Sequence, residues 1–193
     1  MLEPVAWIVD GRFDPDLDRG LVHALHEAGL RWVRIREVEA SLRHARLAAW
    51  RALWPAMLSV HGDPAAAVEG TALHDPEAAP PPESPGRPYG RSVHSVPAAR
   101  AAFAAAADYV TFGHVWPTSS HPGREAAGIE ALERVVTASD GPVRAIGGVC
   151  ESRVADVRRT GACGFDVVSA IATAADPPAS VGALLDAWRA AGN

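Results

Sequence analysis

Eight histidines are spread through a 193-residue chain in which all 18 basic residues are arginine and lysine is absent. An imidazole titrates near pH 6.5 and can take and return a proton at neutral pH, so histidines that gather at one site are the first candidates for general acid–base chemistry. The missing lysine removes a Schiff-base amine and a lysine point charge for phosphate. His61, His74, His94 and His114 each fall at the end of a short apolar run, whereas His23, His26 and His44 lie inside amphipathic stretches and read as surface or packing residues. His114 stands out because it follows Gly113, which admits a ligand closely, at the end of the run 109–112. Three convergent imidazoles, His61, His94 and His114, would also make a zinc site with an open position, although their spacing matches no local zinc pattern.

Other polar residues fall at the same kind of place. Arg36 and Glu37 follow the run 32–35, Ser92 and His94 close the run 90–94, Gly147 and Gly148 follow 143–146, and Ser169 follows 164–168. Glycines after one strand and a small polar residue after the next suit a phosphate held by backbone N–H groups and a short helix start, here Ile146, Gly147, Gly148, Val168, Ser169 and Ala170. The alternative for the glycine pair is a tight turn. Arg36 can grip a substrate carboxylate in bidentate fashion or pair with Glu37 or a neighbouring acid.

The elements that must position these residues follow from hydrophobic periodicity. Short apolar runs predict strands at 5–9, 32–35, 57–60, 71–73, 90–94, 109–112, 143–146 and 164–168. Amphipathic stretches predict helices at 14–28, stopped by Gly29, and at 41–53, 97–107, 129–136, 151–160 and 178–190. Eight βα units in one domain over 1–193 predict an α/β protein, a compact (β/α)8 TIM barrel with shortened elements around strands 4 and 5. The stretch 63–88 is rich in Ala, Pro and Glu, and Pro80, Pro81 and Pro82 cannot sit inside a helix. An open doubly wound sheet would want GxGxxG after the first strand, and Asp10, Gly11, Arg12 and Phe13 do not supply it. In a barrel the residues above share one rim, where strands end and βα loops begin. The tryptophans are expected in the core and between helices, with Trp116 also able to wall an aromatic ligand.

Composition narrows the classes. A net charge of -5 without a basic cluster argues against nucleic acid. No apolar run approaches a membrane span, no signal peptide is apparent, and a cytoplasmic protein is expected. Cys150 and Cys163 form no CxxC pair and no disulfide framework. Paired carboxylates for glycoside chemistry and a serine nucleophile elbow are both missing. Assembly into a homo-oligomer remains open.

The runs DYVTFGHVWPTSSHPG (108–123), AIGGV (145–149), VVSAIATA (167–174), RIRE (34–37) and GRSVHS (90–95) resemble the thiamine phosphate synthase superfamily, with 63–88 the poor fit. The resemblance implies a thiazole phosphate ligand and one of two activities. Synthases join a pyrimidine diphosphate to a thiazole phosphate using magnesium; TenI-type tautomerases aromatise the thiazole phosphate by a proton shift. Synthases carry Asn-Asp after strand three, where this chain has His61 and Gly62, a lysine where it has Val38, and a lysine where it has His121. FGHV and GRSVH look like the TenI branch. That resemblance implies a metal-independent isomerase of thiamine biosynthesis without a cofactor, with His114 as the acid/base and His94 beside it. Arg36, Glu37, Ser92, Thr118, Gly147, Gly148, Ser169 and Ala170 would then surround the substrate. The alternatives are a working thiamine phosphate synthase, a transferase, and a non-catalytic thiazole phosphate-binding regulatory protein.

Overall fold

The computed structural model describes residues 2–11, 13–36, 40–62, 70–82, 86–118 and 123–192. Eight parallel strands close into a barrel in sequence order: β1 Val5–Asp10, β2 Trp32–Arg36, β3 Met57–His61, β4 Ala72–Asp75, β5 Tyr89–Val93, β6 Tyr109–Gly113, β7 Val143–Ile146 and β8 Gly164–Val167. The helices are α1 Arg19–Glu27, α2 Ala40–Leu53, α3 Val96–Ala104, α4 Ile129–Ala138, α5 Val154–Arg159, α6 Ser169–Ala172 and α7 Pro177–Ala190, with a 3₁₀ turn at Glu151–Arg153 before α5. This is the expected TIM barrel. Between β4 and β5 the described residues hold turns and no helix, as the proline triplet requires. Residues 63–69 and 83–85, part of the stretch that fits no regular pattern, lie outside the described residues.

Local chemistry sets the helix ends. Ser95 caps α3 by accepting from the Ala98 amide, and Asp176 caps α7 by accepting from the Ala179 amide, each followed by proline in the first turn. Gly29, at φ +103, stops the first helix, with Leu30 N–H returning to the Leu25 carbonyl. The predicted start at Asp14 is corrected to Arg19. Pro15 and the Asp14 side chain, which accepts from the Asp16 amide, hold a turn there instead.

Strand alternation divides the molecule into two chemically different layers. Residues such as Trp7, Val33, Leu58, Val110, Phe112, Val143 and Phe165 belong to one large apolar cluster with the helix residues Val22, Leu25, Leu47, Trp50, Leu132 and Leu184. Burying each large apolar side chain contributes about 1.5–3 kcal/mol, so most of the hydrophobic stabilisation sits between sheet and helices. The alternate residues Ala6, Trp32 and Tyr109 make a separate small cluster. Next to them, Arg34, Ser59, His74, Thr111, Arg144 and Asp166 are all buried, so the barrel interior is polar.

That interior is held by paired charges. Asp166 accepts from Arg34 Nη1 at 2.7 Å, from Arg144 Nε at 2.8 Å and from the Thr111 hydroxyl at 3.0 Å. Arg144 also donates to the carbonyls of Glu3, Pro4 and Phe165, tying the N-terminal segment to the barrel, and lies over the Trp32 ring. Trp32 donates its indole N–H to the Ser59 hydroxyl.

Candidate active site

His74 marks the boundary between interior and rim. The sequence places it past the end of strand four; the structure puts it inside β4, fully buried, opposite Gly90 of β5 and His61 of β3. Its ring nitrogens lie 3.1 Å from the Tyr109 hydroxyl and 3.0 Å from the Ser92 hydroxyl, so the polar interior satisfies it where an apolar core could not. Burial pushes its pKa well below 6.5, and the positive charges of Arg34, His61 and Arg144 push in the same direction. The folded protein therefore holds His74 neutral, while the unfolded chain takes up a proton near pH 6.5. The unfolded state binds more protons below that value, so this group's contribution to stability is present above about pH 6.5 and is lost as the pH falls. Urea midpoints measured between about pH 5 and pH 7.5 should fall on the acid side in the wild type and do so less in His74→Gln. Parallel curves for the two proteins would contradict a neutral buried His74.

Above this layer a cavity of about 280 Å³ opens at the carboxyl ends of the strands. The predicted residues Arg36, His61, Ser92, His94, His114, Thr118, Gly147, Gly148 and Ser169 all border it. Ala170 does not, because it lies inside the short α6, where its carbonyl accepts from the Ser180 hydroxyl. Glu37, Val38 and His121 lie outside the described residues. Trp116 does not line the cavity either; Arg153 lies over its ring.

At the β7–β8 side two glycines shape the rim of the cavity. The Ile146 and Gly147 carbonyls accept from the Val115 and Trp116 amides of the segment after β6. A trans peptide points its N–H opposite to its carbonyl, so the Gly147 and Gly148 amides face away from β6, towards the side on which Val168 and Ser169 border the same cavity. Both glycines have positive φ, +94 and +68, and neither tolerates a Cβ. At Gly147 it would stand 2.2 Å from the Cβ of His114, and at Gly148 it would stand 2.8 Å from the Pro117 carbonyl oxygen. The two glycines and the His114 segment are thus one packed unit. Gly113 borders the cavity and also has a packing role. Its missing side chain makes room for Ile146, whose carbonyl oxygen would lie 2.4 Å from a Cβ there.

His114 Nε2 lies 3.4 Å from the Arg124 carbonyl oxygen, which can only accept. His94 pairs with Glu77 at 2.6 Å at the exposed lip of the cavity. Arg124, Glu77 and the floor residues Arg34, Thr111 and Asp166 were not singled out from sequence. Arg34 had a signal, since Trp32, Arg34 and Arg36 alternate along one strand and share a face. Arg124 stands in a loop and carried none. Although His61, His94 and His114 share the cavity, no group of three or more His, Cys, Asp or Glu among the described residues could hold a metal ion. No helix among the described residues is long and apolar enough to cross a membrane.

Comparison with known proteins agrees with this architecture. Residues 76–171 match the family model described as thiamine monophosphate synthase, TMP-TENI. A thiamine-phosphate synthase of Mycobacterium sp. (strain KMS) is 42% identical over 99 residues, covering 51% of this chain and 44% of the relative. That of Geobacillus kaustophilus (strain HTA426) is 43% identical over 104 residues, covering 53% of this chain and 47% of the relative. These matches thus span less than half the length of either relative. The solved thiamine phosphate pyrophosphorylase of Pyrococcus furiosus superposes with a TM-score of 0.82 at 25% identity, covering 98% of this chain and 97% of that one. The superfamily implied by the motifs is the one these findings support. The isomerase expectation, a metal-independent thiazole tautomerase, is corrected by them: the relatives are named as synthases, which are transferases.

Proposed function

We propose that this chain, whose residues 76–171 match the TMP-TENI family, is a transferase of the thiamine-phosphate synthase kind that joins the pyrimidine of a pyrimidine diphosphate to a thiazole phosphate in the rim cavity, the C–O bond to the diphosphate breaking and diphosphate leaving. The observation that carries the reading is that one cavity offers anion-binding chemistry on two separate walls. The Gly147, Gly148 and Ser169 side presents backbone amides, and Arg36 stands at the end of β2, away from it around the barrel. Two phosphorylated halves need two such places. Backbone amides hold the thiazole phosphate without lysine, Arg36 and Arg124 face the diphosphate, and His114, Ser92 and Thr118 border the space between. Holding both reactants in one orientation is worth several kcal/mol of the barrier, because it removes the entropy of bringing them together.

Synthases use magnesium, and the described carboxylates here do not fit it. Asp166 is taken by two arginines, Glu77 by His94, and Asp75 interacts with Tyr89 and Arg91 without bordering the cavity. Incubating the full chain with both phosphorylated halves, with and without magnesium, is expected to yield thiamine phosphate. Binding of thiazole phosphate without any product would overturn the transferase and leave a ligand-binding protein.

A further inference from the structure

The side chain of Ser92 is the cavity end of a chain of hydrogen bonds that runs through the barrel interior. His74 Nε2 lies 3.0 Å from Ser92 Oγ, and His74 Nδ1 lies 3.1 Å from Tyr109 Oη. Either ring nitrogen can carry the hydrogen, so these two distances alone do not say which way the hydroxyls point. The far end decides it. Arg34 is buried and ion-paired to Asp166 at 2.7 Å, and its Nη2 faces Tyr109 Oη at 3.4 Å. A guanidinium has only donors, so Tyr109 Oη accepts on that side and its hydrogen turns to its other partner, His74 Nδ1. The Tyr109 ring cannot swing away, because it lies over Gly90, where a Cβ would be 2.0 Å from the ring. A neutral imidazole that accepts at Nδ1 must carry its hydrogen at Nε2. That hydrogen is donated to Ser92 Oγ, and the serine's own hydrogen is left for the cavity that Ser92 borders.

We propose that Arg34 polarises the chain Arg34, Tyr109, His74, Ser92 in one direction, which makes Ser92 a hydrogen-bond donor into the cavity and selects a ligand with an acceptor atom at that place. Tyr109 and His74 are positioning residues; Ser92 touches the ligand. The inference rests on the ligand-binding reading of this cavity for its last link only, since the direction of the chain is a property of the ligand-free protein.

Two measurements test it. Long-range ¹H–¹⁵N spectra of the full chain at neutral pH, with His74 assigned by its loss in His74→Gln, should show hydrogen on Nε2 and none on Nδ1. In Tyr109→Phe, Nδ1 loses its donor and the preference for Nε2–H should weaken. The second measurement titrates inorganic diphosphate, whose outer atoms are acceptors. Ser92→Ala should lower its affinity at least about 10-fold, the scale of a hydrogen bond to a charged group. Tyr109→Phe should lower it a few-fold in the presence of Ser92 and not at all in Ser92→Ala, because the two act through one bond. A His74 ring with hydrogen on Nδ1, undiminished diphosphate affinity in Ser92→Ala, or independent losses in the double variant would each overturn the proposal. The tautomer is read without ligand or turnover, so its failure is distinct from failure of the transferase reading.

Discussion

Asp166→Ala is expected to destabilise the fold by about 3–5 kcal/mol, because it strands two buried guanidinium groups without a counter-charge. Arg34 and Arg144 have 1% and 0% of their side-chain surface exposed, and both pair with this carboxylate. Neither can lose its proton to escape the cost. The effect should reach both ends of the barrel. Arg144 also holds the Glu3 and Pro4 carbonyls at one end, and Arg34 forms part of the floor of the cavity at the other. Acid should act on the same group. Burial opposes ionisation of Asp166, but the charges of Arg34 and Arg144 and the hydrogen bonds from Arg144 and Thr111 outweigh it and hold the carboxyl below its ordinary value of 3.8. With the folded pKa lowered, the stabilisation is present above the unfolded value and is lost as the pH falls through the folded one. Urea unfolding of wild type, Asp166→Asn and Asp166→Ala at neutral pH and below about pH 4 checks both parts. A loss under about 1 kcal/mol in Asp166→Ala would show that the arginines find other partners.

Gly147→Ala is expected to remove ligand binding and to destabilise by about 2–5 kcal/mol, combining the strain of a side chain at positive φ with overpacking. The new methyl group would meet the Cβ and Cα of His114 at 2.2 and 2.6 Å, atoms that cannot rotate out of its way. Either the β7 loop or the His114 segment must move. The Gly147 amide and the His114 segment would then be displaced together, so thiazole phosphate affinity should fall while the far-UV circular dichroism stays that of a barrel. Gly182→Ala is the control, with open space around its missing side chain and a helical position where alanine is favoured. Gly147→Ala with unchanged affinity for thiazole phosphate would contradict a phosphate site on this side of the rim.

Much of the framework could be read from residue order. Strands appear where β-branched and aromatic residues form short runs bounded by proline or glycine. β7, for example, lies between Pro142 and Gly147 and spans the predicted 143–146. The placement of Arg36, Ser92, His114, Gly147, Gly148 and Ser169 at strand ends was enough to gather them around one cavity, because a closed parallel barrel brings all such ends to one rim. Local pattern and global fold agree there. What residue order left open was the function of the rim. His114 and the missing lysines resemble one branch of the superfamily, whereas the relatives that align with half the chain carry the name of the other.

Three features depended on tertiary structure. His74 reads locally as a residue just past a strand, but pairing with β3 and β5 extends β4 through it and turns its ring into the interior. Gly113 reads as room for a ligand and does border the cavity, but its missing side chain also makes room for Ile146 of the neighbouring strand, a contact made only when β6 and β7 pair. Arg34, Arg144 and Asp166 each interrupt an apolar strand and read singly as charges out of place. They come from positions 132 and 22 residues apart in sequence, and closure of the barrel brings them within 2.8 Å. Period-two alternation determines which face of a strand a side chain occupies, but not its partner across the barrel. Partner identity depends on strand register and closure, and these are settled by many long-range contacts acting together.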